Sequence, residues 1–273
     1  MYAIFTAIIL GIVEGVTEFL PISSTGHLII AERLLNFKDV EELFTVIIQL
    51  GAIAAVIWFY RLDLLEKTIG LFKRDADALH FWKIIALGTI PAALIGLATE
   101  KALTSLSTPL VVAISLIIGG IILWIVDRRP RLARERRNDS IDFSQMSIKQ
   151  SLLIGLGQSV AIIPGVSRSG ATIVSGLLTG LNRPTATAYS FYLSIPILVM
   201  ASGLKLVKHG DQLGAITGGA PSIIVGLIAA FITALLSITW LLRYISKHDF
   251  RPFAYYRIVV GIILLGLIAA NIL

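Results

Sequence analysis

Six apolar runs, at about 43–60, 82–99, 108–126, 186–207, 221–242 and 252–273, each approach the roughly 20 residues that a helix needs to cross a bilayer, and they constrain the chain more than any other feature. No water is available in hydrocarbon to satisfy backbone N–H and C=O groups, so runs of this kind predict helices that bond within themselves. Composition agrees: 56% of the 273 residues are hydrophobic, 15% are charged, and the mean hydropathy is +0.87, far from the balance of a water-soluble domain. The expected fold class is an all-α polytopic membrane protein, with residues 1–273 forming one membrane-embedded domain. The segment from Tyr2 to Leu20 lacks a basic leader and carries Glu14 and Glu18, so it is expected in the mature fold rather than as a signal peptide. The absence of cysteine excludes disulfide staples, thiolate metal sites and a cysteine nucleophile. The net charge of +6 does not point to nucleic acid, because the basic residues lie between the apolar runs, where membrane topology already places them.

Two further apolar stretches, 1–35 and 150–182, are broken near their middles by Pro21-Ile-Ser-Ser-Thr-Gly26 and Pro164-Gly-Val-Ser-Arg-Ser-Gly170. Each reads as two half-helices joined by a polar tip, a re-entrant hairpin, since irregular backbone at membrane depth survives only inside protein or beside a wet cavity. Offset by 144 positions, the stretches match: Gly11 with Gly155, Glu14 with Gln158, Ser23 with Ser167, Gly26 with Gly170. Farther on, Pro109 and the run 117–123 parallel Pro252 and the run 258–264. An internal duplication follows, with one repeat over 1–126, a linker over 127–149 and a second repeat over 150–273. One hairpin plus three crossings is an odd number of passes, so the second repeat is expected to be inverted. The connections at 61–83, 127–149, 183 and 243–251 hold 16 Lys/Arg against five on the opposite side. That asymmetry predicts both termini outside a bacterial inner membrane, with the first hairpin entering from outside and the site opening outward. Residues 61–74 carry apolar side chains at 62, 65, 69 and 72 and predict an amphipathic helix lying in the interface. The basic run Arg128–Arg137 reads as a topology signal.

Several polar residues are too costly at depth to be incidental. Glu14 and Glu18, four apart, share one helix face and repel, and an acidic residue at the membrane centre costs roughly 2.5–3.5 kcal/mol on insertion scales. A divalent cation (Mg2+ or Ca2+) held by these carboxylates and by substrate phosphate oxygens suits them. A salt bridge to Arg168 is the simpler structural reading of either one. Ser23, Ser24, Thr25 and His27 bring three hydroxyls and an imidazole to the first tip, where His27 suits proton transfer and Ser23 and Thr25 suit substrate binding, with a helix cap as the simpler reading of either. In the second tip, Ser167, Arg168, Ser169, Gly170 and Thr172 combine a helix start, hydroxyls and a guanidinium, an anion cradle with an arginine able to grip phosphate through two bonds. Gln49, inside a run, predicts a helix-to-helix hydrogen bond.

The segments Glu14-Gly-Val-Thr-Glu18-Phe-Leu-Pro-Ile-Ser-Ser-Thr-Gly-His27 and Pro164-Gly-Val-Ser-Arg-Ser-Gly-Ala-Thr172 resemble the two signatures of the bacitracin-resistance, BacA-like family of undecaprenyl-diphosphate phosphatases. Phe44–Ile53, Ser190–Pro196 and Arg251–Arg257 extend the likeness over nearly the whole chain. The resemblance implies a membrane hydrolase that removes the terminal phosphate of a polyprenyl diphosphate, needs a divalent cation and forms a homodimer. It implies roles for Glu14 and Glu18 at the metal and reaction centre, for Ser24 and His27 in the chemistry, and for Arg168, Ser167, Ser169 and Thr172 on the diphosphate. Two routes stay open: attack by Ser24 assisted by His27 or Glu18, or activation of water with Ser24 only binding phosphate. The alternative from a different class is a lipid-phosphate flippase or anion transporter, because inverted repeats with broken helices are also a transporter design.

Overall fold

A computed structural model describes residues 1–39, 42–103, 108–128 and 141–272, with no side-chain description for 100–103. Among the described residues the regular structure is entirely helical. The first stretch forms α1 (Tyr2–Thr17) and α2 (Ser24–Leu34); α3 (Leu43–Phe59), α4 (Arg61–Phe72), α5 (Ala76–Leu103) and α6 (Pro109–Asp127) follow. The second half repeats the order without a counterpart of α4: α7 (Ile148–Ser159), α8 (Arg168–Leu178), α9 (Arg183–His209), α10 (Gly219–Ile245) and α11 (Arg251–Ala269).

Five helices are long and apolar enough to cross a membrane: α5, α6, α9, α10 and α11. The sixth candidate is α3, which with α4 forms a pair bent by 73°. All six expected runs are therefore helices. On α4 the apolar residues Leu62, Leu65, Ile69 and Phe72 are all exposed, as an interfacial helix requires. Isoleucines at 118, 121, 122 and 125 on α6, and at 224, 228 and 232 on α10, are exposed as well. Such continuous apolar surface fits a lipid-facing belt and not a water-exposed one. Of the basic run at 128–137, only Arg128 falls within the described residues, with its guanidinium over the Trp124 ring.

The hairpin helices are short. At about 1.5 Å per residue, the 16 residues of α1 rise about 24 Å and the 12 of α7 about 18 Å, less than the hydrocarbon core of roughly 30 Å. Each closes onto a crossing helix of the other half through a glycine. A Cβ on Gly11 of α1 would lie 2.3 Å from the Gly226 carbonyl oxygen of α10, and one on Gly155 of α7 would lie 2.3 Å from the Gly88 oxygen of α5. The last helices of the two halves, α6 and α11, meet in the same way through Gly120 and Gly261.

Local signals set the helix starts. Thr108 accepts from the Val111 amide ahead of Pro109, Ser147 and Gln150 form a capping box on α7, and Asn182 accepts from Thr185; each satisfies an amide that the first helical turn leaves unpaired. Asp127, the last residue of α6, takes the Nε–H of Arg183 at the start of α9 at 2.6 Å and the amide of Phe250 ahead of α11 at 2.9 Å, tying three elements together. Gln49 on α3 lies 3.5 Å from the Ser202 hydroxyl of α9, the interhelical contact its position predicts.

Candidate active site

The two tips adopt one backbone solution. Ser23 and Ser167 both hold positive φ, 72° and 71°, a region that costs an L-residue energy unless its surroundings hold it there. Each serine then caps the helix that follows: Ser23 Oγ accepts from the Gly26 amide at 3.4 Å and Ser167 Oγ from Gly170 at 3.1 Å. These two serines, read from sequence as phosphate ligands or caps, therefore serve as caps, with a Ser167–Ser169 hydroxyl contact of 3.1 Å beside the second. Ser169 Oγ donates to the Leu20 carbonyl at 2.8 Å, which brings one tip directly against the other.

The chemistry-bearing side chains converge where the tips meet. Glu18 caps the C-terminus of α1, and its Oε2 accepts the Ser24 hydroxyl at 2.5 Å. Its Oε1 lies 3.5 Å from Arg168 Nη2, and both side chains are almost wholly enclosed. Arg168 is aimed further by α9, whose Ser190 carbonyl accepts Nη1–H at 2.9 Å, while its Nε is buried without a partner. One turn before Glu18, Glu14 is 0% exposed and neither carboxylate oxygen has a hydrogen-bond partner. Its counterpart in the second half, Gln158, is likewise buried with both amide atoms unpartnered.

Three expected participants stand differently. Thr172 Oγ1 is occupied by the carbonyls of Arg168 and Ser169 and by Ser190 Oγ at 2.6 Å, so it braces Arg168. Thr25 is exposed on the first turn of α2. His27 does not touch Ser24 or Glu18: Nδ1 lies 2.7 Å from the Ser23 carbonyl and Nε2 lies 2.7 Å from the Tyr256 hydroxyl of α11.

Sequence reasoning missed the residue that holds the tips together. Arg257, on α11, is 1% exposed and its guanidinium donates only to carbonyls: Pro21 in the first tip (3.2 Å), Gly165 and Val166 in the second (3.2 and 2.9 Å), and Ser115 and Leu116 of α6 (3.3 and 3.4 Å). Gly119 of α6 makes room for it. The signal was a lone arginine inside an otherwise apolar run, which is expensive in a membrane.

Among the described residues no group of three or more His, Cys, Asp and Glu could hold a metal ion by itself. The two carboxylates, with both Glu14 oxygens unclaimed, suit a hard cation that completes its shell with water and phosphate oxygens. Chemically, the arrangement offers a hydroxyl bonded to a carboxylate, a guanidinium beside it and the start of α8.

The model of the family described as "Bacitracin resistance protein BacA" matches residues 7–263. A protein of Acinetobacter baumannii named undecaprenyl-diphosphatase is 43% identical, over 97% of this chain and 95% of its own. Proteins of the same name from Nitrosospira multiformis (44% identical, 97% and 94% covered) and Rhizorhabdus wittichii (43%, 95% and 95%) are similar over the same extent. With both signature segments folded into facing tips and the family model spanning them, the chain belongs to the BacA family of bacitracin resistance proteins.

Proposed function

We propose that the chain is a multi-pass membrane phosphatase that hydrolyses undecaprenyl diphosphate to undecaprenyl phosphate and inorganic phosphate, returning the lipid carrier to cell-wall synthesis and conferring bacitracin resistance. Relatives matched over almost their whole length carry the name of that activity, and nothing in the fold favours the transporter alternative. The observation that carries the chemical reading is the Ser24–Glu18–Arg168 contact between the tips.

In this reading Ser24 Oγ attacks the terminal phosphorus while Glu18 Oε2 takes its proton, and undecaprenyl phosphate leaves. Water then attacks the phosphoserine, Glu18 returns a proton to Ser24, and inorganic phosphate is released. Arg168 neutralises the non-bridging oxygens, and the first amides of α8 face the same anion, so most of the work is positioning and charge. Glu14 and Glu18 would hold a divalent cation together with the diphosphate, supplying further neutralisation of the phosphate charge. The short Ser24–Glu18 contact favours Glu18 over His27 as the base for Ser24, and leaves His27 the proton of the attacking water in the second step.

The matched tips, the paired serines at positive φ and the reciprocal Gly11 and Gly155 contacts support an inverted repeat, with each hairpin seated in the opposite half. The basic-residue asymmetry supports termini outside and a site opening to that side, and the family resemblance supports a homodimer.

The test is phosphate release from a polyprenyl diphosphate by the purified protein in lipid, with and without EDTA, comparing Ser24→Ala and Arg168→Ala. Ser24→Ala is expected to abolish turnover. A variant retaining more than a few per cent would remove the nucleophilic serine and leave direct attack by water, and no release by the wild type would remove the phosphatase.

A further inference from the structure

His27 is held from two sides. The Ser23 carbonyl can only accept, so the imidazole proton facing it at 2.7 Å resides on Nδ1. In the neutral ring Nε2 is then a lone pair, and the Tyr256 O–H, 2.7 Å away, donates to it. The two rings are parallel within 3°, with centroids 5.6 Å apart. Tyr256 is 44% exposed, so the partner of Nε2 is a half-exposed side chain. Its place is fixed by its neighbour in sequence: Arg257 is pinned to both tips and α6 by the five carbonyls described above.

We infer that Tyr256 is a positioning residue that locks His27 in its Nδ1–H tautomer and fixes the direction of its Nε2 lone pair. The inference rests on the reading of His27 as a proton-transfer group in the phosphatase. Tyr256 reaches the reaction only through His27. A second-side partner of this kind fixes both the tautomer and the ring orientation of a functional histidine. Because α11 carries both the clamp on the tips and the clamp on the imidazole, any displacement of this helix disturbs backbone and proton carrier together.

The experiment uses the full chain in lipid nanodiscs, with 15N-labelled histidine, as wild type, Tyr256→Phe, His27→Gln and the double variant. Tyr256→Phe keeps the stacked ring and removes only the hydroxyl. The His27 Nε2 resonance, assigned by its absence in His27→Gln, is expected to move toward a free acceptor, with the Nδ1–H form no longer the sole tautomer. Turnover is expected to fall about tenfold in kcat with KM within about twofold, the size of one lost hydrogen bond. The double variant is expected to match His27→Gln, because a residue acting through His27 adds nothing once His27 is gone. An unmoved resonance with unchanged kcat overturns the inference, as does a double variant markedly slower than His27→Gln. Wild-type turnover by His27→Gln overturns instead the role given to His27, while the resonance still reports whether Tyr256 sets the tautomer.

Discussion

A methyl group on Gly119 tests the clamp without removing any polar group. A Cβ there would lie 2.1 Å from Arg257 Nη2 and 2.8 Å from Cζ. Ordinary contact needs about 3.5 Å, so in Gly119→Ala the guanidinium must retreat by about 1.4 Å from its 2.1 Å position. Nη2 makes the bonds to Val166, Gly165 and Ser115 at 2.9, 3.2 and 3.3 Å, none of which survives such a shift with good geometry. Hydrogen bonds from a charged donor are each worth about 1.5–3 kcal/mol. If two are lost outright, the cost is about 3–6 kcal/mol, of which alanine in a helix recovers up to about 1 kcal/mol. The net expectation is about 2–5 kcal/mol of lost stability. The second tip, freed from α11, misplaces Arg168 relative to Ser24, and a displacement near 1 Å costs on the order of a hundredfold in rate. Phosphate-release kinetics and denaturant unfolding in the same detergent measure both quantities. Gly203→Ala serves as control, since nothing lies within 4 Å of that position. If Gly119→Ala matched the control in kcat and in stability, Arg257 would not be holding the tips.

Two other outcomes follow from the structure. Glu14→Gln removes a buried carboxylate that makes no hydrogen bond and that repels Glu18, so the protein should be more stable by about 1 kcal/mol while needing at least about tenfold more cation for half-maximal turnover; cation titrations and melting curves check the two opposed signs. Asp127→Asn breaks the pairing with Arg183 and weakens the bond to the Phe250 amide, costing about 2–4 kcal/mol in unfolding experiments, and combining it with Arg183→Gln should cost less than the sum of the single changes.

The span-length helices and the breaks between α1 and α2 and between α7 and α8 were legible because lipid imposes a length and an apolarity on each passing segment, and proline with glycine marks where the pattern breaks. Their ends were not: α5 starts at Ala76, where Asp75 caps the Ala78 amide, and α9 starts at Arg183, since polar first turns beyond the apolar run leave no hydropathy signal. Glu14, Glu18, Ser24 and Arg168 were legible through the cost of burying them, and the structure brings Glu18, Ser24 and Arg168 into contact. Thr172 illustrates the limit: a hydroxyl near an anion cradle reads identically whether it faces the anion or, as here, braces the arginine. Arg257 was missed because its acceptors are backbone carbonyls up to 236 residues away in sequence, a pairing that side-chain patterns do not record. Tyr256 escaped because its partner, the His27 side chain, lies 229 residues earlier.

The reach of Arg257 also sets a timetable for biosynthesis. Glu14 and Glu18 leave the ribosome more than two hundred residues ahead of it, an interval of about 10–50 s at ordinary elongation rates. For roughly the first 150 residues of that interval Arg168 has not been made, so the carboxylates stand in or beside lipid with no cationic partner from the second half, and throughout it the nascent first hairpin lacks the clamp on Pro21. An unfinished chain therefore carries half of a phosphate site and none of its activity, and the hairpin can settle only when α11 arrives.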